Sequence, residues 1–108
     1  KKKAKAILTV LNATFMIRRF TNEDVTQGRF DPLTLAEALA FPPQEGMPPV
    51  SVRERAFVPT ELTLLCRIAG LDVLNIWGGT AGNWGRRNID LDEIELMLVA
   101  KKVAKPRF

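Results

Sequence analysis

The chain contains no histidine and only one cysteine, Cys66. A disulfide framework within the chain is therefore excluded, and a Cys/His metal site is implausible. No Ser/His/Asp or Cys/His catalytic set can be built without histidine. Cys66 falls on the apolar side of a predicted helix, which favours a small buried hydrophobe over a reactive thiol.

Long apolar runs are also missing, because no stretch approaches the ~18 residues that a membrane-spanning helix needs. Residues 1–11 resemble the charged start and short apolar stretch of a signal peptide, but Thr9 and Asn12 interrupt the pattern and no small-residue cleavage site follows. We therefore expect an intracellular, cytoplasmic protein without a membrane partner. Since the first residue is Lys1 and not Met, we expect a fragment or a processed product.

The net charge of +4 belongs to the two ends of the chain. Residues 6–100 hold eight arginines against twelve acidic residues, a balance of −4. A nucleic-acid-binding face should also place Lys and Arg along the fold, so a nucleic-acid partner is not expected.

The length of 108 residues allows one small domain, and the hydrophobic content of 46% predicts a packed core. Residues 6–11 form a nearly continuous apolar run, typical of a strand that is covered on both faces. Residues 13–20 predict a short helix. Asp31-Pro32 predicts a second helix start, continuing to about residue 40 with Leu35, Ala36, Leu39 and Ala40 on one face.

Four prolines and a glycine in residues 42–49 predict a loop, and residues 51–57 are predicted to be extended. Pro59 then opens the clearest helix, which Gly70 ends because it lacks a Cβ. The apolar positions of this helix follow the i, i+3, i+4, i+7 pattern and are Leu62, Leu65, Cys66 and Ala69.

A strand is predicted over residues 71–77, followed by a glycine-rich connection to about residue 92 and a last strand over residues 93–102. Residues 94–101 are the most continuously apolar, so we predict that they lie between residues 6–12 and 71–77, antiparallel to both. The predicted fold class is α/β, a partial sheet of three strands with the C-terminal strand in the middle and helices packed on it.

Several segments together resemble the closing part of class I S-adenosylmethionine-dependent methyltransferases. Phe57-Val58-Pro59-Thr60-Glu61-Leu62, Ala69-Gly70-Leu71 and Trp77-Gly78 are similar to the helix and sixth strand of that family. Glu95 to Lys102 is similar to its seventh strand, and Leu8 to Asn12 to its fifth. The resemblance implies that residues 1–108 form one C-terminal methyltransferase-like domain, with a variable insert at about residues 13–55 that shapes the acceptor pocket.

The cofactor-binding elements of that family have no counterpart in the chain. Missing are its glycine-rich loop after the first strand, its acidic residue at the end of the second, and its motif at the fourth. The resemblance therefore implies S-adenosylmethionine as the cofactor of a complete protein, no cofactor for this chain alone, and an acceptor-side role without catalysis. The alternative is a non-enzymatic α/β module for interaction or dimerisation.

Asn12 is the best-placed polar residue, because ligands of open α/β sheets lie beyond the carboxyl ends of the strands. It predicts either a substrate contact or the cap of the following helix. Phe15, Arg18 and Arg19 follow it and either line the same pocket or form an ordinary amphipathic turn.

Trp77 and Trp84 bracket the glycines of residues 78–85, where a tryptophan either stacks on a flat acceptor or closes the rim of a core. Arg86 and Arg87 either bind a carboxylate or phosphate of a substrate, or are solvated or paired with nearby acids such as Asp90 and Asp92. A phosphate loop is disfavoured, since a strand rather than a helix follows. The acids Asp90, Asp92, Glu93 and Glu95 are interpreted as solvated.

The strand at residues 6–12 is expected to have one open edge, because the resemblance pairs that edge with a fourth strand that the chain lacks. Folded proteins rarely leave an apolar edge bare. We therefore expect a partner there, either a second copy in a homodimer or a cofactor-binding partner half.

Overall fold

A computed structural model describes residues 4–41, 45–80, 82–103 and 105. Within them the chain forms seven strands and three helices that alternate irregularly. In chain order these are β1 (Lys5–Asn12), α1 (Ala13–Ile17), α2 (Asn22–Thr26), β2 (Phe30–Asp31), β3 (Ala36–Phe41), β4 (Val50–Phe57), α3 (Pro59–Ile68), β5 (Leu71–Thr80), β6 (Asn83–Arg87) and β7 (Glu95–Lys102). The strands form one sheet in the order β2-β3-β4-β1-β7-β5-β6.

Strand β7 lies in the middle of the sheet, antiparallel to β1 on one side and to β5 on the other. Its alternate residues Leu96, Leu98 and Ala100 have no exposed surface. The predicted placement of the last strand is therefore confirmed, since its apolar run is covered by neighbours along both edges.

The predicted number of three strands is wrong. Strands β2, β3 and β4 extend the sheet beyond β1, and β6 extends it beyond β5. The glycine-rich connection was predicted to begin at Gly78, but β5 continues to Thr80 and pairs with β6 in a hairpin. Two adjacent glycines, Gly78 and Gly79, lie within this continuation and still take part in pairing with β7.

The helix predicted from Asp31 to about residue 40 is also wrong. The Asp31 carboxylate accepts hydrogen bonds from the Leu33 N–H and the Thr34 hydroxyl and so makes a turn. Leu35 has a positive φ of 56°, which redirects the chain into β3. The register of β3 with β4 then runs over six residue pairs, and this pairing outweighs the helix propensity of an Ala- and Leu-rich segment.

Helix α3 covers one face of the sheet, which we call the α3 face. Leu62 and Cys66 are buried there against Leu98 and Ala100. Leu65, which the sequence pattern places on the buried side, is 46% exposed, because the short helix presents only its central stripe to the sheet. Burial raises the pKa of the Cys66 thiol, so the thiol stays protonated and resists alkylation.

A second apolar cluster lies at the carboxyl end of β1 and joins the insert to the sheet. Its buried members are Ala13, Met16, Phe30 and Ala56. Helix α1 ends at Ile17, earlier than predicted. The predicted loop of residues 42–49 falls partly on residues 42–44, outside the described residues, and the remainder of it is irregular.

Strand β4 closes only part of the open edge of β1. The two strands are parallel and pair at Leu11 with Ala56 and at Asn12 with Phe57. On this side, residues 5–10 of β1 have no partner strand among the described residues, and Ile7 is 65% exposed. Over the described ranges, no helix has the length and apolar character needed to cross a membrane.

Candidate functional site

The carboxyl end of β1 is organised by the side chain of Asn12, which is fully buried. Its Nδ2 donates to the carbonyl oxygens of Glu93 at 2.9 Å and Asp90 at 3.3 Å. Its Oδ1 accepts from the backbone N–H of Thr14 at 3.2 Å and from the Thr14 hydroxyl at 2.9 Å. Both donors and both acceptor positions of the amide are thus used within the chain. Of the two sequence interpretations, the structure shows the helix cap. Asn12 also anchors the loop before β7.

That loop, residues 88–94, is further held by its own carboxylates. Asp90 Oδ1 accepts from the backbone N–H groups of Asp92 at 2.9 Å and Glu93 at 3.0 Å. Arg18 Nη1 donates to the Leu91 carbonyl at 2.5 Å, and Arg18 contacts Asp92 Oδ1 at 3.2 Å. The loop and the start of the insert therefore form one polar cluster at the carboxyl end of β1.

Arg87 forms an ion pair with Glu93 at 2.9 Å. Glu93 is only 9% exposed, so the interpretation of this residue as solvated is wrong. Arg87 thus pairs with a nearby acid as expected, although the partner is Glu93 and not one of the two examples, Asp90 and Asp92. A hairpin that folds β6 back along β5 brings Arg87 opposite Gly78, where Glu93 also packs.

The glycine pair in β5 makes room for two large side chains. A Cβ on Gly79 would overlap the six-membered ring of Trp84, and a Cβ on Gly78 would lie 2.6 Å from the Glu93 Cγ. Trp84 therefore packs against β5 at Gly79. This contact corresponds to the sequence interpretation in which a tryptophan closes a packed surface. The glycines allow close packing within a sheet, and among the described residues after Thr80 no helix follows that could receive a phosphate.

Two of the remaining candidates come together on the sheet face opposite α3, which we call the open face. Trp77 and Arg86 line a shallow trough of about 410 Å³. Its floor comes from three neighbouring strands and includes Ile7, Met97 and Val99. Arg86 has a positive φ of 57° beside the bulge in the β5–β6 ladder, a conformation uncommon for a residue with a side chain.

The last two candidates lie apart from these groups. Arg19 turns toward the insert, where its Nη1 lies 3.9 Å from Glu37 and its guanidinium lies over the Phe20 ring at 5.9 Å. Phe15 is half-buried in α1. The eight predicted residues thus form no single pocket. A role in substrate binding stays a prediction for each of them.

The polar groups at the carboxyl end of β1, where a cofactor of an open α/β sheet would lie, are already bonded to one another. Asp90, Asp92 and Glu93 are bonded to backbone N–H groups or to arginines. Glu95, which pairs with Leu11, differs from them, because its Oε2 is buried and has no hydrogen-bond partner among the described residues. Within the described ranges, no three His, Cys, Asp or Glu side chains lie close enough to hold a metal ion.

Sequence reasoning missed the loop of residues 88–94 and the buried carboxylate of Glu93. The signal was present in Asp90-Leu91-Asp92, because Asp followed by a residue with a free N–H two positions later is typical of an Asx turn. It also missed the trough on the open face, since a single sequence does not state which part of an apolar strand a helix covers.

Comparison with known proteins adds the fold class. No protein-family model matches the chain, and no curated protein matches it significantly. The solved structure of the CcbJ methyltransferase from Streptomyces caelestis is similar to it, with a TM-score of 0.64 and 17% sequence identity. The match covers 92% of this chain and 46% of that chain, so the chain spans about half the length of the methyltransferase. The chain therefore has a methyltransferase-like α/β fold.

Replacing Asn12 by alanine should lower the free energy of unfolding by about 2–4 kcal/mol. The change removes a helix cap and leaves two carbonyl groups of the loop without their donor. Urea unfolding followed by circular dichroism measures the loss. The matched control is Asn75→Ala, at an exposed position of β5, which should stay within about 0.5 kcal/mol of the unaltered chain. Equal effects at both positions would contradict the anchoring role.

The substitution Gly79→Ala should destabilise the chain by about 1–3 kcal/mol, because the new methyl group must displace the Trp84 indole. The control is Gly85→Ala, whose Cβ would meet only Arg87 Cγ at 4.0 Å. Thermal unfolding of both variants, with tryptophan fluorescence as the readout, provides the comparison. A neutral Gly79→Ala would show that the indole does not rest on the strand.

Proposed function

We propose that this chain forms the acceptor-side, carboxy-terminal portion of an S-adenosylmethionine-dependent methyltransferase and does not catalyse methyl transfer alone. The observation that carries the proposal is the sheet itself, with antiparallel β7 between β1 and β5. This arrangement is shared with a methyltransferase over 92% of the present chain but only 46% of the other.

The chemistry of methyl transfer is compatible with a chain that supplies only the acceptor side of the enzyme. The reaction depends chiefly on aligning the acceptor atom with the methyl group, so rigid placement of the acceptor side supplies much of the rate. In this chain the insert begins directly at the carboxyl end of β1, where Asn12 and Arg18 fasten it to the loop of residues 88–94. These residues keep the acceptor side in a fixed position relative to the sheet. We assign the described residues no step that acts on the cofactor.

Calorimetric titration with S-adenosylhomocysteine tests the proposal. The purified 108-residue chain should bind with a Kd no tighter than about 1 mM, equivalent to ~4 kcal/mol. The complete gene product, titrated as the control, should bind at micromolar concentration. Micromolar binding by the 108-residue chain, or none by the complete product, would contradict the proposal.

A second candidate function is a non-enzymatic module that pairs with a second copy through the open edge of β1. One specific observation favours it. The Asn12 N–H and the Ala4 carbonyl both bond toward the β7 side. Because backbone groups alternate sides along a strand, those of Ile7 and Thr9 point to the opposite, unpaired edge.

Sedimentation velocity at micromolar concentration tests this second function, which predicts a dimer. The variant Ile7→Pro removes one N–H from the open edge and should give a monomer with an unchanged far-ultraviolet spectrum. The control is Leu8→Pro, which removes a group on the β7 side and should unfold the sheet. A monomeric unaltered chain would exclude the dimerisation module.

A further inference from the structure

A notch of about 420 Å³ lies in the sheet where β1 and β4 diverge. The two strands pair at Leu11 with Ala56 and at Asn12 with Phe57, and they separate on the amino-terminal side of these pairs. The last residues of β1 form one wall of the notch, and β7 contributes Glu95 to it. The notch is therefore close to the carboxyl end of a strand, where ligands of open α/β sheets lie.

Three glutamates lie on the open face at this place. Glu95 of β7 pairs with Leu11 of β1, which in turn pairs with Ala56 of β4. Because side chains alternate along a strand, Glu54 lies on the same face as Ala56 and Glu95. Glu37 of β3 is directly opposite Glu54 in the β3–β4 ladder. Glu54 and Glu95 line the notch, and Glu37 lies next to it on the side of the insert.

Two of these carboxylates are buried with too few hydrogen-bond donors. Glu37 is 6% exposed, and its ion pair with Arg19 spans 3.9 Å, which is too long for a hydrogen bond. Glu95 Oε2 is buried and has no hydrogen-bond partner among the described residues. A buried carboxylate oxygen without a donor costs free energy. The Glu95 oxygen beside the notch therefore favours a donor that a bound molecule supplies.

The notch has an excess of negative charge. Neither Glu54 nor Glu95 belongs to the ion pairs found among the described residues. Arg55 is the one cation among the described lining residues. Its guanidinium is already paired with Glu61 and lies over the Phe57 ring at 4.4 Å. The two lining carboxylates are thus left to bind a cation from outside the chain.

The ladder between β3 and β4 shows the same excess. Glu37 and Glu54 are like charges on directly opposed strand residues, an arrangement that destabilises a sheet. Folded proteins typically keep such local conflicts at functional sites. A bound cation would relieve the repulsion and stabilise the occupied state.

The kind of cation follows from the spacing and from the walls. No three acidic side chains of the described ranges lie close enough to hold a metal ion. An ammonium group instead donates in several directions and can be attached to a larger body. The walls of the notch include Val10, Leu11 and Phe57, which suit a hydrocarbon part. The volume is within the range of small-molecule sites.

We propose that this notch binds an ammonium group of the methyl acceptor, so that the acceptor substrate is an organic amine. This inference rests on the proposed function. The ammonium group donates to Glu95 and Glu54, while the hydrocarbon part lies against Val10 and Phe57. The two carboxylates select and orient the substrate, and neither is assigned a step in methyl transfer.

Titration with three probes of similar shape tests the site. Benzylamine, benzyl alcohol and benzoate are cationic, neutral and anionic at neutral pH. Nuclear magnetic resonance of the backbone amides follows their binding to the 108-residue chain and to the complete gene product. Benzylamine should bind both proteins at least about tenfold more tightly than benzyl alcohol, and benzoate should bind more weakly than either. Equal affinities for the cationic and the neutral probe overturn the proposal.

Substitution of the lining carboxylates locates the effect. Glu95→Gln and Glu54→Gln should each lower the preference for benzylamine at least about threefold. Glu54→Gln also removes the charge opposite Glu37, so it should raise the midpoint of thermal unfolding, and its loss of binding is then not a loss of folding. Glu45→Gln, at an exposed position, is the matched control and should change neither property. An unchanged preference in both lining variants overturns the site.

The remaining outcomes separate this inference from the proposed function. A complete product that binds S-adenosylhomocysteine but shows no preference for benzylamine overturns the amine site alone. If the 108-residue chain has the preference and the complete product has lost it, a cationic side chain of the other half fills the notch, and the acceptor assignment is overturned. Micromolar binding of S-adenosylhomocysteine by the 108-residue chain contradicts the proposed function and leaves the preference for benzylamine standing.

Discussion

The structure depends most on one side-chain amide at the end of one strand. Asn12 ends β1, starts α1 and holds the carbonyl groups of the loop that leads into β7. The junction of β1 and α1 therefore meets a loop that lies 78 to 81 residues away in sequence, and both are held by a single buried group whose hydrogen-bonding capacity is fully used. A buried amide is stable only when it is fully bonded, so the position of the loop and the start of the insert are fixed together. The positions of the loop of residues 88–94 and of the start of α1 at the carboxyl end of the sheet depend on this contact.

The elements predicted correctly are those whose local sequence pattern favours the same structure that their packing in the fold requires. Helix α3 has a proline at its start, a glycine after its end and an apolar stripe, and β7 has an apolar run too long for an edge strand. Strand β3 could not be predicted in the same way, whereas β4 matches the extended segment predicted over residues 51–57. The residues of β3 favour a helix locally, and only the pairing with β4, together with the turn at Asp31 and Leu35, selects the strand. Long-range pairing of this kind is not encoded in a short window of sequence.

The candidate site could likewise be predicted only where its residues follow from a local sequence pattern. The sequence places Asn12 and Arg18 at the carboxyl end of β1 because that end follows directly from the strand pattern. It does not show that Glu93 is buried, because Arg87 and Gly78 reach that carboxylate only after β5 and β6 have folded into a hairpin. Trp77 and Arg86 were singled out separately, and their meeting in one trough results from the β5–β6 bulge.

The short ladder between β1 and β4 lies between two regions of the molecule that each pack around their own apolar cluster. One apolar cluster ties α3 to the strands β1, β5 and β7, and another ties α1 and the insert together around Ala56. The ladder between the two regions consists of Leu11 with Ala56 and Asn12 with Phe57. The hydrogen bonds of Asn12 and Arg18 cross the same junction and hold the start of the insert. Local opening should therefore be confined to the part of the insert beyond Arg18, while the central strands keep their register. A region that tolerates such local opening can also accept changes in length and sequence without loss of the sheet, which leaves the insert free to diverge while the framework that carries it stays the same.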